Sequence, residues 1–203
     1  MNHYFTDNRQ LEHNRKEISF RFSCFNYLFT TDSGVFSKNQ VDFGTHTLLS
    51  IVSEGNIKGK ILDLGCGYGP VGVVLKNMFN DCEVHMYDIN PRAVELAKIN
   101  VELNKVDCLV DQSDGFENIR IDDYSNIIFN PPIRTGKENI YKMFEQSYEH
   151  LISGGSLWIV IQKKQGGLSA KAKISSIFGN CEIIGKEKGY LVLKSTKYLD
   201  NLL

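Results

Sequence analysis

Lys60-Ile61-Leu62-Asp63-Leu64-Gly65-Cys66-Gly67-Tyr68-Gly69 is the stretch on which the reading of this chain turns. Its first five residues form a short, largely apolar run, compatible with a buried parallel strand. Three glycines at alternate positions follow at once, and Pro70-Val71-Gly72-Val73-Val74-Leu75-Lys76 reads as the start of a helix. A strand that turns tightly into a helix needs backbone at positive φ, which glycine adopts without a Cβ penalty. Bare backbone also lets a ligand come close, and the first N–H groups of a helix suit an anionic or polar group.

The glycines fit two patterns. Gly67, Gly69 and Gly72 spell the dinucleotide-binding G-x-G-x-x-G, whereas Asp63, Gly65, Gly67 and Gly69 spell the D-x-G-x-G-x-G opening of S-adenosylmethionine-dependent methyltransferases. Both patterns carry an acid after the next strand. Here Glu83-Val84-His85-Met86-Tyr87 is that strand and Asp88 the acid, nineteen residues beyond Gly69. A carboxylate there accepts hydrogen bonds from ribose hydroxyls in either cofactor. The loop alone therefore specifies an adenosine-type cofactor, with a ligand-free tight turn as the plain alternative. Cys66, inside the loop, reads as a small neutral filler and not a nucleophile; with Gly69 and with Ile89 beside Asp88, it counts among the cofactor-lining positions.

Composition bounds the rest. The chain has 203 residues, 42% hydrophobic and 23% charged, ordinary values for one globular domain. No apolar run reaches membrane-span length, and Met1–Asp7 lacks the pattern of a signal peptide. Five widely spaced cysteines with no C-x-x-C pair point to reduced thiols and a cytoplasmic location, and five histidines form no ligand set, so no metal is expected. Residues 1–133 carry 12 basic and 18 acidic side chains, whereas residues 134–197 carry 11 basic and 5 acidic. That asymmetry points to a polyanion facing the C-terminal half, against the alternative of ordinary solvated lysines.

Along the chain, residues 1–17 read as a loose polar lead. Residues 18–22 and 25–30 are antiparallel strand candidates, a turn follows, and Val35-Phe36 resumes extended chain. We take residues 1–40 as an N-terminal extension and 41–203 as the main unit of a single compact domain. A helix is expected over 46–52, a helix to about Phe79, a helix capped at Asn90-Pro91, strands at 106–110, 126–129 and 156–161, and a flexible polar loop at 163–167. A helix over 170–178 and a hairpin around Lys186–Gly189 close the pattern. Strands and helices alternate, which predicts an α/β, Rossmann-like, mainly parallel sheet with helices on both faces.

Asn130-Pro131-Pro132 stands just past the carboxyl end of the 126–129 strand, the edge at which open α/β sheets bind ligands. The asparagine side-chain oxygen is one acceptor, and the carbonyl of Pro131 a second. Together they can hold both hydrogens of an exocyclic –NH2 and aim its lone pair at an electrophilic methyl. A nicotinamide dehydrogenase has no use for such a clamp; a turn after a strand is the structural alternative.

Asp63–Gly69, Asp88, Ser113-Asp114-Gly115 and Asn130–Ile133 resemble the class I S-adenosylmethionine (SAM)-dependent methyltransferases that modify amino nitrogens. With Gly34-Val35-Phe36-Ser37, Asp42-Phe43-Gly44-Thr45 and Asn130–Lys137, the chain resembles the small-subunit ribosomal RNA guanine-N2 methyltransferase family, in its short single-domain members. The resemblance implies a seven-stranded sheet with the last strand antiparallel, SAM as cofactor and RNA as partner. It implies that Asp63, Gly65 and Gly67 hold the methionine part, Asp88 the ribose, and Asp114, beside Ser113, the adenine. Phe36, Asp42 and Thr45 would close over the cofactor, and Asn130 and Pro131, stiffened by Pro132, would hold the target amine. Ile133, Arg134 and Lys137 are the expected substrate contacts, with Lys163 and Lys164 as further phosphate contacts. Family members often carry an aromatic after Asn-Pro-Pro; here it is Ile133, so stacking on the base would fall to another residue such as Phe36. Methylation of a protein glutamine amide or a DNA amine, and a non-catalytic SAM-binding module, are the competing functions. The oligomeric state, monomer or weak dimer, is left open.

Overall fold

The computed structural model describes residues 12–198. Its elements in order are β1 (Lys16–Phe22), β2 (Phe25–Thr31), α1 (Phe43–Val52), β3 (Lys60–Leu64), α2 (Pro70–Met78), β4 (Glu83–Asp88) and α3 (Pro91–Leu103). Then come β5 (Leu109–Gln112), β6 (Tyr124–Phe129), α4 (Lys137–His150), β7 (Leu151–Gln162), α5 (Gly167–Phe178), β8 (Glu182–Glu187) and β9 (Tyr190–Thr196). Seven strands form one sheet in the order β5-β4-β3-β6-β7-β9-β8. The first five of these run parallel, and β9 runs antiparallel to both its neighbours. This is the expected Rossmann-like sheet, with the last strand of the chain reversed.

Apolar runs put β3, β4 and β6 at the centre, where both faces are covered. Leu48, Val71, Val74, Leu96 and Ala97 from α1, α2 and α3 fill one face. Ile140, Phe144, Ala170 and Ile174 from α4 and α5 fill the other. From β3 the chain winds outward through β4 to β5, then returns to place β6 on the other side of β3. The β3–β6 boundary is thus the point where strand order reverses, and ligands of open α/β sheets bind in the crevice beyond it.

β1 and β2 pair as a separate two-stranded sheet. Their Phe20, Phe22, Tyr27 and Phe29 share the core cluster of α2 and α3. Two asparagines one turn apart on α3 bind this hairpin. Asn100 accepts from Thr30 N at 2.6 Å and donates to Thr30 O at 3.0 Å, and Asn104 repeats the pair with Leu28 at 3.1 and 2.7 Å. Side-chain amides here complete the open edge of a strand.

Four local expectations change. Val35-Phe36 is not extended: Gly34 and Ser37 take positive φ (82° and 53°), Ser33 N donates to Asp32, and the chain bends over residues 33–40. The strand expected at 106–110 runs from Leu109, because α3 ends in a left-handed Lys105 whose neighbours close back onto the helix. β7 begins at Leu151, not Ser156. The expected loop at 163–167 is a tight helical turn over Lys163–Gln165 leading into α5, tied by Lys163 N to Gly189 O at 2.8 Å. Part of the expected N-terminal lead lies outside the described residues.

Candidate active site

β3 and β6 are parallel neighbours, with Leu64 opposite Phe129, so the glycine loop and the Asn130 turn leave the same edge of the sheet. A Cβ built on Gly65 would lie 3.9 Å from the Phe129 ring. The two loops are therefore neighbours on one edge of the sheet.

The loop carries the strain that its composition allows. Gly65, Gly67 and Gly69 have φ of 67°, 59° and 96°. Cys66 N donates to Tyr87 O, and Gly67 N donates to Asp88 Oδ2 at 2.8 Å, which ties the loop to the end of β4. A Cβ on Gly67 would meet nothing within 4 Å. Asn90 N donates to the other carboxylate oxygen of Asp88 at 2.8 Å.

The place of Asp63 favours the methyltransferase pattern over the dinucleotide one. Its buried carboxylate accepts from Gly72 N at 2.9 Å, in the first turn of α2. A dinucleotide's pyrophosphate needs that helix start for itself, and here the Asp63 side chain already occupies it. Burial, only partly offset by the Gly72 hydrogen bond, and Asp88 nearby push the Asp63 carboxyl up to about 7. A positively charged cofactor suits two acidic groups behind a glycine loop; a pyrophosphate does not. Burial, with Asp63 and Asp88 beside it, also pushes the Cys66 thiol well up, which suits a neutral filler.

Asn130 follows β6, and its amide nitrogen donates to Thr45 Oγ1 at 3.1 Å. That orientation leaves the side-chain oxygen as the acceptor. Thr45 is buried in the first turn of α1, where Asp42 caps the helix by accepting from Gly44 N and Thr45 N. Asp42 is thus a cap whose effect on the site passes through Thr45.

Pro131 is buried, and the Pro132 carbonyl accepts from Thr135 N at 3.0 Å and Thr135 Oγ1 at 2.9 Å. Ile133 packs partly into the α4–α5 core, so it supports the turn more than it presents a face to a base. Lys137 is exposed at the start of α4, and the Arg134 side chain lies outside the described residues. Ser113 is buried, its N donating to Asp88 O, while Asp114 is exposed at the rim and Ile89 is half-buried. Phe36 is 58% exposed on the bend above the loop.

Sequence reasoning missed how that bend is held. Asn90, read only as a helix cap, also donates to Gly34 O at 3.1 Å, and Arg92 donates to Ser33 O at 3.0 Å. Tyr68 is buried, with its hydroxyl 3.5 Å from Ser37 O. These links span distant parts of the chain and leave no local pattern.

The model of a family described as "Methyltransferase small domain" matches residues 26–194. The chain belongs to the methyltransferase small domain family. Membership makes it a methyltransferase whose methyl donor is SAM, and the Asp63–Gly69 and Asp88 geometry fits that cofactor. The uncharacterized protein YbxB of Bacillus subtilis (strain 168) is 44% identical over 96% of this chain and 98% of its own length. Ribosomal RNA small subunit methyltransferase C of Haemophilus influenzae (strain 86-028NP) is 37% identical over 78% of this chain and 49% of its own. A solved structure, the Thermus thermophilus 16S rRNA N2 G1207 methyltransferase in complex with AdoMet and guanosine, superposes with a TM-score of 0.82 at 25% identity. It is matched over 90% of this chain and 50% of its own. The chain thus spans about half the length of these two ribosomal RNA methyltransferases. Among the described residues, no helix is long and apolar enough to cross a membrane.

Proposed function

We propose that this methyltransferase acts on the exocyclic amino group of a guanine in ribosomal RNA, with the base turned out of its stack. The observation that carries the reading is Asn130, held by Thr45 beside the glycine loop with its amide oxygen left as an acceptor. The Thermus relative, whose structure holds guanosine, supports the acceptor class.

SAM supplies an electrophilic methyl carbon on a sulfonium. The residues of this chain do the rest. Asp63, behind the loop, and the backbone of Gly65 and Gly67 provide the negative and polar seat. Asp88 accepts from the ribose, and Asp114, Ser113 and Ile89 border the adenine. Phe36 covers the cofactor side. Asn130 and the Pro131 carbonyl each accept one hydrogen of the target amine. That contact orients the nitrogen lone pair and raises its electron density, a large part of what a delocalised aryl amine lacks. Once methylated, the nitrogen would be more acidic and would give up its proton to water, so no strong base is asked of this chain.

The test is transfer of labelled methyl from SAM to ribosomal particles, separated subunits and naked RNA, with mass mapping of the product. Asn130→Ala is expected to abolish transfer with SAM affinity nearly unchanged. Thr45→Val removes only the orienting hydrogen bond, a loss of about 1–3 kcal/mol or roughly 5- to 150-fold in rate, and Thr45→Ser restores most of it. Full activity of Asn130→Ala refutes the clamp. Label found in protein or DNA and in no RNA refutes the acceptor.

A further inference from the structure

A concavity lies one strand away from Asn130. Gln162, Lys163, Lys164, Gly166, Leu168 and Lys188 contribute to the lining of a basin of about 580 Å³ at the carboxyl end of β7. β7 is the parallel neighbour of β6, with Ile159 opposite Phe129. One strand spacing of about 4.8 Å and two residues of rise at about 3.3 Å therefore separate the Asn130 level from Gln162. That is the order of one nucleotide step.

The basin is basic. Three lysines reach it, no acidic residue lines it, and among the described residues none of the three forms an ion pair with a carboxylate. The twelve-residue helix α5 begins there, with Gly166 in a left-handed conformation and no side chain capping its first N–H groups, which adds partial positive charge. Leu168, 53% exposed, gives the basin an apolar surface. Lys188 is the most telling member. It sits at φ 44° ahead of Gly189 at φ 84°, the two-residue turn between β8 and β9. Such turns favour asparagine, aspartate or glycine at that position, and a lysine there is conformationally costly. Its ammonium lies 4.6 Å from the centre of the Phe43 ring, so the side chain is directed back toward α1 and the site.

We propose that this basin is a subsite for the nucleotide next to the target in a single-stranded RNA segment. Lys163, Lys164, Lys188 and the start of α5 take its phosphodiester, and Leu168 packs against its base or sugar. The inference rests on RNA being the acceptor.

The test uses the whole protein and a short fluorescent single-stranded RNA. Binding is measured by anisotropy across salt concentrations, beside methyl transfer to RNA by the unaltered protein. Each phosphate contact on a single strand adds about 0.7 to the steepness of log affinity against log salt. Replacing Lys163, Lys164 and Lys188 by glutamine is expected to flatten that slope by about 2, with SAM affinity unchanged and the thermal midpoint lowered only by the loss of the Lys188–Phe43 contact. Replacing Lys58, Lys98 and Lys142, exposed elsewhere, removes the same charge and is expected to change the slope far less. An unaltered slope in the basin variant, in a protein that still methylates RNA, overturns the subsite and spares the acceptor. Equal flattening in both variants overturns the subsite as well. No methyl transfer to any RNA by the unaltered protein overturns both.

Discussion

Asp63 was legible as a residue but not as an environment. Its place before three alternate glycines singled it out, whereas its burial and its bond to Gly72 N depend on how α2 packs. Those surroundings yield a prediction. The carboxyl is pushed from 3.8 up to about 7, so the folded chain holds this proton more tightly than the unfolded chain. The resulting stabilisation is complete below about pH 4 and is lost as pH rises through 7. Asp63→Asn keeps an oxygen for Gly72 N–H and removes the titration. Its thermal midpoint, measured without cofactor, is expected to fall less between pH 5 and 8 than that of the unaltered protein. Parallel curves would show that Asp63 is already ionised at pH 5. Thr45 marks the other limit at this scale: its bond to Asn130 crosses 85 positions, and no spacing rule reaches so far.

At the scale of elements, the alternation and the mainly parallel sheet followed from apolar runs and turn signals, the strand order did not, and the misplacements have local causes. α3 ends with Val106 N donating to Val101 O and Lys105 N donating to Glu102 O, around Lys105 at φ 55°. This is the hydrogen-bond pattern of a glycine-terminated helix. With lysine in glycine's place, the sequence carries no stop signal, and the following strand is read three residues early. The glycines of the β3–α2 turn divide by the same reasoning. A Cβ on Gly72 would lie 2.5 Å from Met86 Sδ, in the core, whereas one on Gly67 meets nothing. Gly72→Ala is therefore expected to cost about 1–3 kcal/mol of stability and to leave SAM affinity of the folded protein within about twofold. Gly67→Ala is expected to cost about 1–2 kcal/mol through its backbone and to weaken SAM binding at least tenfold, because the methyl enters the cofactor's side of the loop. Denaturant unfolding and calorimetric titration of the two variants separate these effects. Equal losses of affinity would refute the division.

Across the whole molecule, the N-terminal hairpin and the site are coupled through α3. Its strands were readable from alternation, but its docking was not, since asparagine on a helix more often reads as a surface residue. Asn100 makes three hydrogen bonds, two to Thr30 and one to Tyr68 O at 2.8 Å, next to the glycine loop. Beyond β2, Asp32 accepts from His13 and Asn14, and the bend at 33–40 is pinned by Asn90 and Arg92 before the chain enters α1 with Asp42 and Thr45. Releasing β2 should therefore loosen the wall above Asp88 as well as the hairpin. Asn104→Leu removes the two bonds to Leu28 and a third to Asn100 O at a half-exposed position, and Asn100→Leu removes three at a buried one. At about 0.5–1.5 kcal/mol each, the expected loss is about 2–4 kcal/mol in either variant. Hydrogen exchange of Leu28 and Thr30 amides reports hairpin release, and SAM affinity reports the wall. If the hairpin holds the site, faster exchange at Leu28 in Asn104→Leu is accompanied by weaker SAM binding, while β6 and β7 amides stay protected. Fast exchange at Leu28 with SAM affinity intact would mean that the bend is held by Asn90 and Arg92 alone, and that the hairpin stabilises the fold without shaping the site.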